Sequence, residues 1–251
     1  MNKSCSIIIP CYKTNFEILD NYIGDINNFW NIKYINLEII LIIDDEPKNT
    51  NEILKKFSNL KNKYKNIKVL LNNKNLGQHK SVLNGFDFAN SDIYLTLDDD
   101  YKYPVNGLPN LVKNFIDDDF DCIIGKPKKN TQSFLRKFAT YFIKNLFNYI
   151  YFKKNKIHFS SFRLIKKRVV KNILKKNYIS PVIGFLILDE TKKVKNFIYE
   201  KNKYSLKSRY SFANLLKNFF IYNFFYTNIF YRFIFFKNFK SLKLKNYKEI
   251  N

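Results

Sequence analysis

One stretch constrains this chain more than any other: Ile93-Tyr94-Leu95-Thr96-Leu97-Asp98-Asp99-Asp100, an apolar run that stops in three carboxylates. A β-branched and aromatic run of this length, bounded by Asn90-Ser91-Asp92 before it and Pro104 after it, reads as a buried strand. Three adjacent acids repel one another unless a cation or several donors sit among them. Open α/β sheets bind their ligands beyond the carboxyl ends of the strands. Side chains alternate along an extended chain, so Asp98 and Asp100 project to one side. That pair suits Mg2+ or Mn2+ carrying a nucleoside diphosphate. Taken alone, the tripeptide reads more simply as a solvated acidic turn.

The rest of the chain changes that balance. Ser6–Ile9 reads as a first strand closed by Pro10-Cys11-Tyr12, because proline cannot donate to a ladder. Phe16–Trp30 is a helix candidate capped by Thr14 or Asn15. Leu37–Ile43 is almost continuously apolar, as central parallel strands are, and it too ends in acids, Asp44-Asp45-Glu46. A polar helix over Thr50–Tyr64, a strand over Ile67–Leu71, and a turn at Asn75–His79 leading into a helix to about Ala89 complete the first half. Strand–helix alternation argues for an α/β fold with a mostly parallel, doubly wound sheet and helices on both faces. Right-handed crossovers then bring Pro10-Cys11-Tyr12, Asp44-Asp45 and Asp98-Asp99-Asp100 to one edge.

The second half reads differently. A short helix over Leu108–Ile116 precedes a strand over Asp121–Gly125, which ends in Lys126-Pro127-Lys128-Lys129. An aromatic helical stretch covers Ser133–Tyr151. His158–Ile165 is strand-like and leads into a basic helix from Lys166; Val182–Leu188 and Lys195–Tyr199 are expected as further strands. From Ser211 the chain turns aromatic. It carries no charge from Asn218 to Tyr231, between Lys217 and Arg232, which is shorter than the roughly 20 residues that span a bilayer. We read it as an interfacial helix, so the expected division is residues 1–211 and a membrane-associating tail of 212–251. No internal repeat or disordered linker is visible.

Composition sets the partners. The net charge of +23 calls for an anionic partner, although a chain this rich in Lys, Asn and Ile also follows from codon bias alone. A nucleic-acid-binding protein is the non-enzyme alternative, but no RRM, KH or helix-turn-helix signature is present, and acidic strand ends repel phosphates. Three cysteines without metal spacing fit a reducing compartment. Ile7-Ile8-Ile9, halted by Pro10, is too short for the apolar core of a signal peptide.

In order and spacing these segments resemble glycosyltransferase family 2, with its GT-A fold, and within it the branch that glycosylates polyprenyl phosphates. The resemblance rests on the strand and P-x-Y turn at Ser6–Tyr12, Ile39–Asp45, Asn75-Leu76-Gly77-Gln78-His79-Lys80-Ser81 with Asn84-Gly85-Phe86, and the D-x-D segment Leu97–Pro104. On the acceptor side it rests on Ser133–Lys137, Ser161-Phe162-Arg163-Leu164 and Ser208-Arg209-Tyr210-Ser211. Together they cover about Ser6 to Lys217. Departures are Lys13-Thr14 after the P-x-Y turn, Glu46-Pro47 after the acidic pair, and Lys102 in place of a metal-holding Gln.

The resemblance implies an inverting glycosyltransferase that moves a sugar from a nucleotide-diphospho-sugar to undecaprenyl phosphate. It would work in cell-envelope polysaccharide or glycolipid synthesis, on the cytoplasmic face of the inner membrane. Pro10, Tyr12, Asp44, Asp45, Gly77, Gln78 and Asp99 would line the donor site, and Asp98 and Asp100 would hold Mg2+ or Mn2+. A protonated Lys102 is no metal ligand; it would pair with Asp100 or a phosphate and reduce the need for the ion. Arg136, Lys137, Arg163 and Arg209 would meet the acceptor phosphate, with Arg136 and Arg163 foremost; Lys126 and Lys128 lie nearby in sequence. His79 is more simply a turn residue than a catalyst. A saccharide hydroxyl acceptor would need a general base, and Asp189 or Glu190, past the Val182–Leu188 strand, are the candidates. A degenerate relative that only binds is the remaining alternative.

Overall fold

The computed structural model describes residues 3–44, 50–128, 157–176, 181–202 and 247–250. Strands β1 (Lys3–Cys11), β2 (Ile35–Ile43), β3 (Ile67–Asn72) and β4 (Ile93–Thr96) alternate with helices α1 (Phe16–Phe29), α2 (Thr50–Lys63) and α3 (Gln78–Phe88). Helix α4 (Leu108–Ile116) and β5 (Cys122–Pro127) follow. Then come β6 (Arg163–Lys166), α5 (Lys167–Leu174), α6 (Ile183–Glu190), β7 (Val194–Tyr199) and β8 (Tyr247–Glu249). The described strands form one sheet in the order β7-β5-β6-β4-β1-β2-β3-β8.

The first half is doubly wound, as the alternation requires. β1 pairs in parallel with both β2 and β4, and β2 with β3. Period-two alternation sends Ile7, Ile9, Ile39 and Leu41 to one face, against Leu19, Tyr22 and Ile23 of α1 and Phe57 of α2. It sends Ile8, Ile40 and Ile42 to the other, against Val82, Leu83 and Phe86 of α3. Burial on both faces is why these strands read as unbroken apolar runs. Asn15 starts α1: its side chain accepts a hydrogen bond from the Ile18 N–H at 3.2 Å. That cap contributes about 1 kcal/mol. Gly85 lets α3 sit close to the sheet, since a Cβ there would fall 2.6 Å from Ile8 Cγ2.

Two expectations are corrected and one is borne out. The first strand does not stop at Pro10 but runs to Cys11, opposite Ile43. Backbone groups alternate in direction, and the Ile8 carbonyl faces β4, accepting from the Leu97 N–H at 3.1 Å. Pro10 therefore faces β4 as well, and β4 has already ended at Thr96, so the missing proline donor costs no ladder bond. The expected mostly parallel sheet is borne out; β6 runs antiparallel between β4 and β5, which are parallel to one another, and β8 antiparallel to β3. Val182–Leu188 is not a strand; α6 covers Ile183–Glu190, with Ile183, Leu186, Ile187 and Leu188 buried on the α3 side.

The aromatic stretch over Ser133–Tyr151 and residues 203–246, which include most of the expected tail, lie outside the described residues. Beyond them, Tyr247–Glu249 returns as β8, antiparallel to β3. No helix among the described residues is long and apolar enough to cross a membrane.

Candidate active site

The site lies at the carboxyl edge of β1, β2 and β4. Here β6, one of the two reversed strands among those described, matters. β6 pairs with β4 so that Arg163 stands opposite Thr96. Moving two residues forward on β4 and two back before β6 puts Ser161 opposite Asp98. The Ser161 hydroxyl accordingly donates to Asp98 Oδ2 at 2.6 Å. The Tyr103 hydroxyl reaches the same oxygen at 3.2 Å and lies 2.6 Å from Ser161 Oγ. From the other side, Gln78 Nε2 at the start of α3 donates to Asp98 Oδ1 at 2.7 Å. Asp98 is therefore fixed by three separate elements. Tyr103 is itself fixed in an aromatic floor, its ring centroid 4.6 Å from Phe162 and 5.4 Å from Tyr199.

The neighbouring acids divide the work. Asp99 turns back to the β1–α1 loop and accepts from the Thr14 hydroxyl at 2.6 Å. Asp100 forms an ion pair with Lys102, and Lys102 Nζ also lies 3.7 Å from Asp98 Oδ2. The second oxygen of Asp100, Oδ1, is buried without a hydrogen-bond partner among the described residues. Burial, and then the Asp98 carboxylate, push the Asp100 carboxyl up to about 6, against the pull of Lys102. For Lys102 burial works against the charge, but Asp98 and Asp100 outweigh it and hold the ammonium above its ordinary value.

This arrangement bears on the divalent ion expected between Asp98 and Asp100. Both oxygens of Asp98 already accept hydrogen bonds, and an ammonium pairs with both carboxylates. Among the described residues no group of three His, Cys, Asp or Glu side chains is arranged to hold a metal. The donor set as it stands does not seat a divalent cation; it seats Lys102.

Asp44 serves the turn before α3. Its Oδ1 accepts from Asn72 Nδ2 at 2.8 Å and from the Leu76 N–H at 2.7 Å, and its Oδ2 from the Gly77 N–H at 2.8 Å. Asn72 donates onward to Ser81 Oγ at 2.9 Å and accepts from Asn84 at 2.8 Å. Asp44 is 3% exposed, and its carboxylate shapes the Leu76-Gly77 turn. Gly77 has φ +82°, a left-handed conformation that glycine adopts without strain. Gln78, assigned to the donor, spends its amide on Asp98. Pro10 and the half-buried Tyr12 stand at the β1 end, and the Lys13 ammonium sits 5.3 Å from the Tyr12 ring centroid.

Arg163 is the one described member of the expected cationic set that reaches the site interior. It is 6% exposed; Nη1 approaches Thr96 Oγ1 at 3.5 Å, and buried Nε has no hydrogen-bond partner among the described residues. No carboxylate among the described residues lies in ion-pair contact with it. Burial, and then the charge of Arg163, push half-buried His79 down to about 3, so it is a neutral imidazole. Lys128 is spent on a surface pair with Glu200 at 2.8 Å, and Lys126 is exposed. Arg136, Lys137, Arg209 and Asp45 lie outside the described residues. All three cysteines are buried and none forms a disulfide; burial pushes the Cys122 thiol up to about 12.

Asp189 and Glu190 are corrected. They lie at the carboxyl end of α6, where Thr191 donates to Asp121 at 2.6 Å. Asp121 precedes β5, so this is the amino edge of the sheet, away from Asp98. Glu190 is paired there with Lys176. Neither carboxylate is placed to act as a base at the site. The residues missed from the sequence, Thr14, Ser161 and Tyr103, serve Asp98 and Asp99; for Ser161 the usable signal was its two-residue offset from Arg163.

A mixed sheet with β4 ending in a carboxylate cluster, and helices on both faces, is the GT-A architecture of nucleotide-sugar enzymes. Over residues 6–174 the sequence matches "Glycosyl transferase family 2", well over half of its length, and the chain belongs to that family. It is a glycosyltransferase. Solved structures share the fold at low identity. Glucosyl-3-phosphoglycerate synthase from Mycobacterium tuberculosis, in complex with Mn2+, UDP-glucose and phosphoglyceric acid, has a TM-score of 0.60 at 11% identity, covering 87% of this chain and 77% of that one. S. aureus TarS has a TM-score of 0.52 at 16% identity, covering 77% and 58%. The fold also extends to 4-diphosphocytidyl-2C-methyl-D-erythritol synthase from Anaerococcus prevotii, with a TM-score of 0.53 at 16% identity, covering 88% and 96%.

Proposed function

We propose that this glycosyltransferase takes a nucleotide-diphospho-sugar as donor and a polyprenyl phosphate, undecaprenyl phosphate in a bacterial membrane, as acceptor. It does so with inversion, in cell-envelope polysaccharide or glycolipid synthesis. The observation that carries the reading is Arg163: a buried guanidinium with no carboxylate in ion-pair contact and with Nε unpaired among the described residues. Burying a cation without an anion is costly, so such a site is built for an anion that arrives. A lipid phosphate meets that need; a neutral saccharide does not.

The chemistry then asks little of the protein. A phosphate monoester oxygen is already anionic at neutral pH and attacks the anomeric carbon without a general base. The new bond is anomeric carbon to phosphate oxygen. The bond that breaks is anomeric carbon to diphosphate oxygen, and the nucleoside diphosphate leaves with the electron pair. Arg163 positions the attacking phosphate and lowers its repulsion from the donor diphosphate. Gln78, Ser161 and Tyr103 keep Asp98 from reorienting as charge shifts past it. The uncharged aromatic run from Asn218 to Tyr231, between Lys217 and Arg232, supplies the membrane contact by its composition.

The test is nucleoside diphosphate release from a panel of nucleotide sugars, with and without undecaprenyl phosphate in detergent. Release is expected to depend on the lipid and to fall about a hundredfold in Arg163→Ala, the cost of one buried charge-assisted contact. Release with saccharide acceptors and none with the lipid overturns the acceptor. An Asp189→Asn/Glu190→Gln double variant is expected to turn over within about twofold of wild type; a large loss restores the hydroxyl-acceptor alternative. Recovery of the chain truncated after Lys217 in the membrane fraction overturns the role of the tail.

A further inference from the structure

The carboxylate cluster already contains a cation, and it is covalently attached. Lys102 follows Asp98 by four residues and Asp100 by two, and its ammonium pairs with both. That return is made by Tyr101, whose φ of +51° is left-handed. A bulky residue adopts that conformation only when its surroundings hold it there. Here the Tyr101 ring stacks on buried Tyr22 with centroids 4.5 Å apart, and its hydroxyl donates to Asp25. One residue further on, the Lys102 carbonyl accepts from the Asn202 N–H at 2.9 Å. The ammonium is thus delivered by a locked turn, with its side chain 24% exposed.

We propose that Lys102 is the cation of this donor site: its ammonium, held between Asp98 and Asp100, meets the diphosphate of the donor and balances the charge that develops on the leaving nucleoside diphosphate, so that donor binding does not depend on a divalent metal. An ammonium has three N–H donors. Two face carboxylates, and the third is free for a phosphate oxygen. A divalent ion entering between Asp98 and Asp100 would have to expel Lys102 and meet its charge at contact distance. The proposal rests on the donor reading above, and names the group that makes it work.

The test is binding of a panel of nucleoside diphosphates, including UDP and GDP, by calorimetry in EDTA and in Mn2+. Free Mn2+ is followed by its electron paramagnetic resonance signal without nucleotide. Wild type is expected to bind its nucleotide with affinities within about threefold in the two buffers and to leave the Mn2+ signal unchanged. Lys102→Gln, which removes the charge and offers an amide oxygen, is expected to bind about tenfold or more weakly in EDTA, recover in Mn2+, and deplete the Mn2+ signal, one charge-assisted contact being at stake. Lys102→Arg keeps a cation and is expected to keep EDTA-resistant binding, which separates charge from folding. A tenfold or greater gain in wild-type affinity with Mn2+, or uptake of one Mn2+ per chain, overturns the inference while leaving the donor reading intact. Absence of nucleotide binding by wild type in both buffers overturns the donor reading and Lys102's role with it.

Discussion

Replacing Asp44 by Asn tests whether the acid at the end of β2 holds the turn before α3 or reaches for the nucleotide. The Asp44 carboxylate accepts from Asn72 Nδ2 and the Leu76 N–H through one oxygen, and from the Gly77 N–H through the other. An amide keeps a single oxygen. With that oxygen facing Leu76 and Asn72, its NH2 is set against the Gly77 N–H, donor to donor. One hydrogen bond to a charged acceptor is lost, contributing about 1.5–3 kcal/mol, and a buried backbone donor is left unpaired. Relaxation of the turn returns some of this, so the expected loss is about 2–3 kcal/mol at neutral pH. In urea that is a midpoint shift of about 1 M, for a slope of about 2–3 kcal/mol/M. Far-UV circular dichroism across a urea series measures it. The sign of its pH dependence is fixed. Burial, working against the turn's hydrogen bonds, raises the Asp44 carboxyl above its ordinary value. A raised acid contributes stability that is complete below its unfolded pKa of about 3.9 and is lost as pH rises through the folded value. The penalty of Asp44→Asn therefore grows as pH falls toward 4. Because Gly77 precedes Gln78, and Gln78 holds Asp98, turnover is also expected to fall about tenfold, the effect of misplacing one catalytic support. A variant within 0.5 kcal/mol of wild type that nonetheless loses nucleotide binding refutes the turn role and returns Asp44 to the nucleotide, 0.5 being about the scatter of an ordinary surface change.

Three further outcomes follow from the same geometry. Ser161→Ala removes the 2.6 Å bond to Asp98 and the contact with Tyr103; nucleoside diphosphate release is expected to drop about tenfold with stability reduced by no more than about 1.5 kcal/mol, so unchanged turnover rejects the β4–β6 register as the support of Asp98. Gly85→Ala places a Cβ 2.6 Å from Ile8 Cγ2 and 3.2 Å from Ile42 Cδ1, and thermal or urea unfolding should show a loss of about 1–3 kcal/mol; a neutral result means that α3 slides freely on the sheet. For Asp121, burial raises the carboxyl but hydrogen bonds from Arg168 and Thr191 prevail and hold it low, so its contribution is present above pH of about 3.9 and lost as pH falls through the folded value. The stability gap between wild type and Asp121→Asn should close on acidification; a gap that is flat with pH rejects the ion pair.

How much of this was legible in the sequence depended on whether the signal was local. The strands of the first half declared themselves because parallel strands buried on both faces are continuously apolar, and Asn15 declared the start of α1 because a helix needs an acceptor for its first N–H groups. Val182–Leu188 failed for the same reason. A short apolar run is the same pattern in a buried strand as in a helix buried on all sides, and α6 is enclosed from Ile183 to Leu188. The error carried Asp189 and Glu190 with it, since a strand would have delivered them to the opposite edge. The direction of β6 was illegible because period-two burial does not encode polarity, and with it went the pairing of Ser161 with Asp98. Lys102 could be picked out because its partners lie two and four residues away.

Reversal of β6 also explains why the site needs that strand at all. Parallel strands beside β1 bring only their carboxyl ends to the edge, where β2 and β4 run into Asp44 and Asp98-Asp99-Asp100 and the near cation, Lys102, is taken up by those acids. An antiparallel strand enters at that edge, so the residues preceding and opening it, Ser161 and Arg163, arrive where β4 leaves. The strand thereby adds a hydroxyl to fix Asp98 and a guanidinium to face an incoming anion. The two carboxylates beside it are then unequal by construction. Asp98 has both oxygens engaged by Gln78, Ser161 and Tyr103. Asp100 keeps one oxygen on Lys102 and one uncommitted. A diphosphate approaching this edge meets Asp98 as a fixed post, and whatever yields must be the Asp100–Lys102 pair, whose ammonium has a donor to give and whose carboxylate has an oxygen to turn.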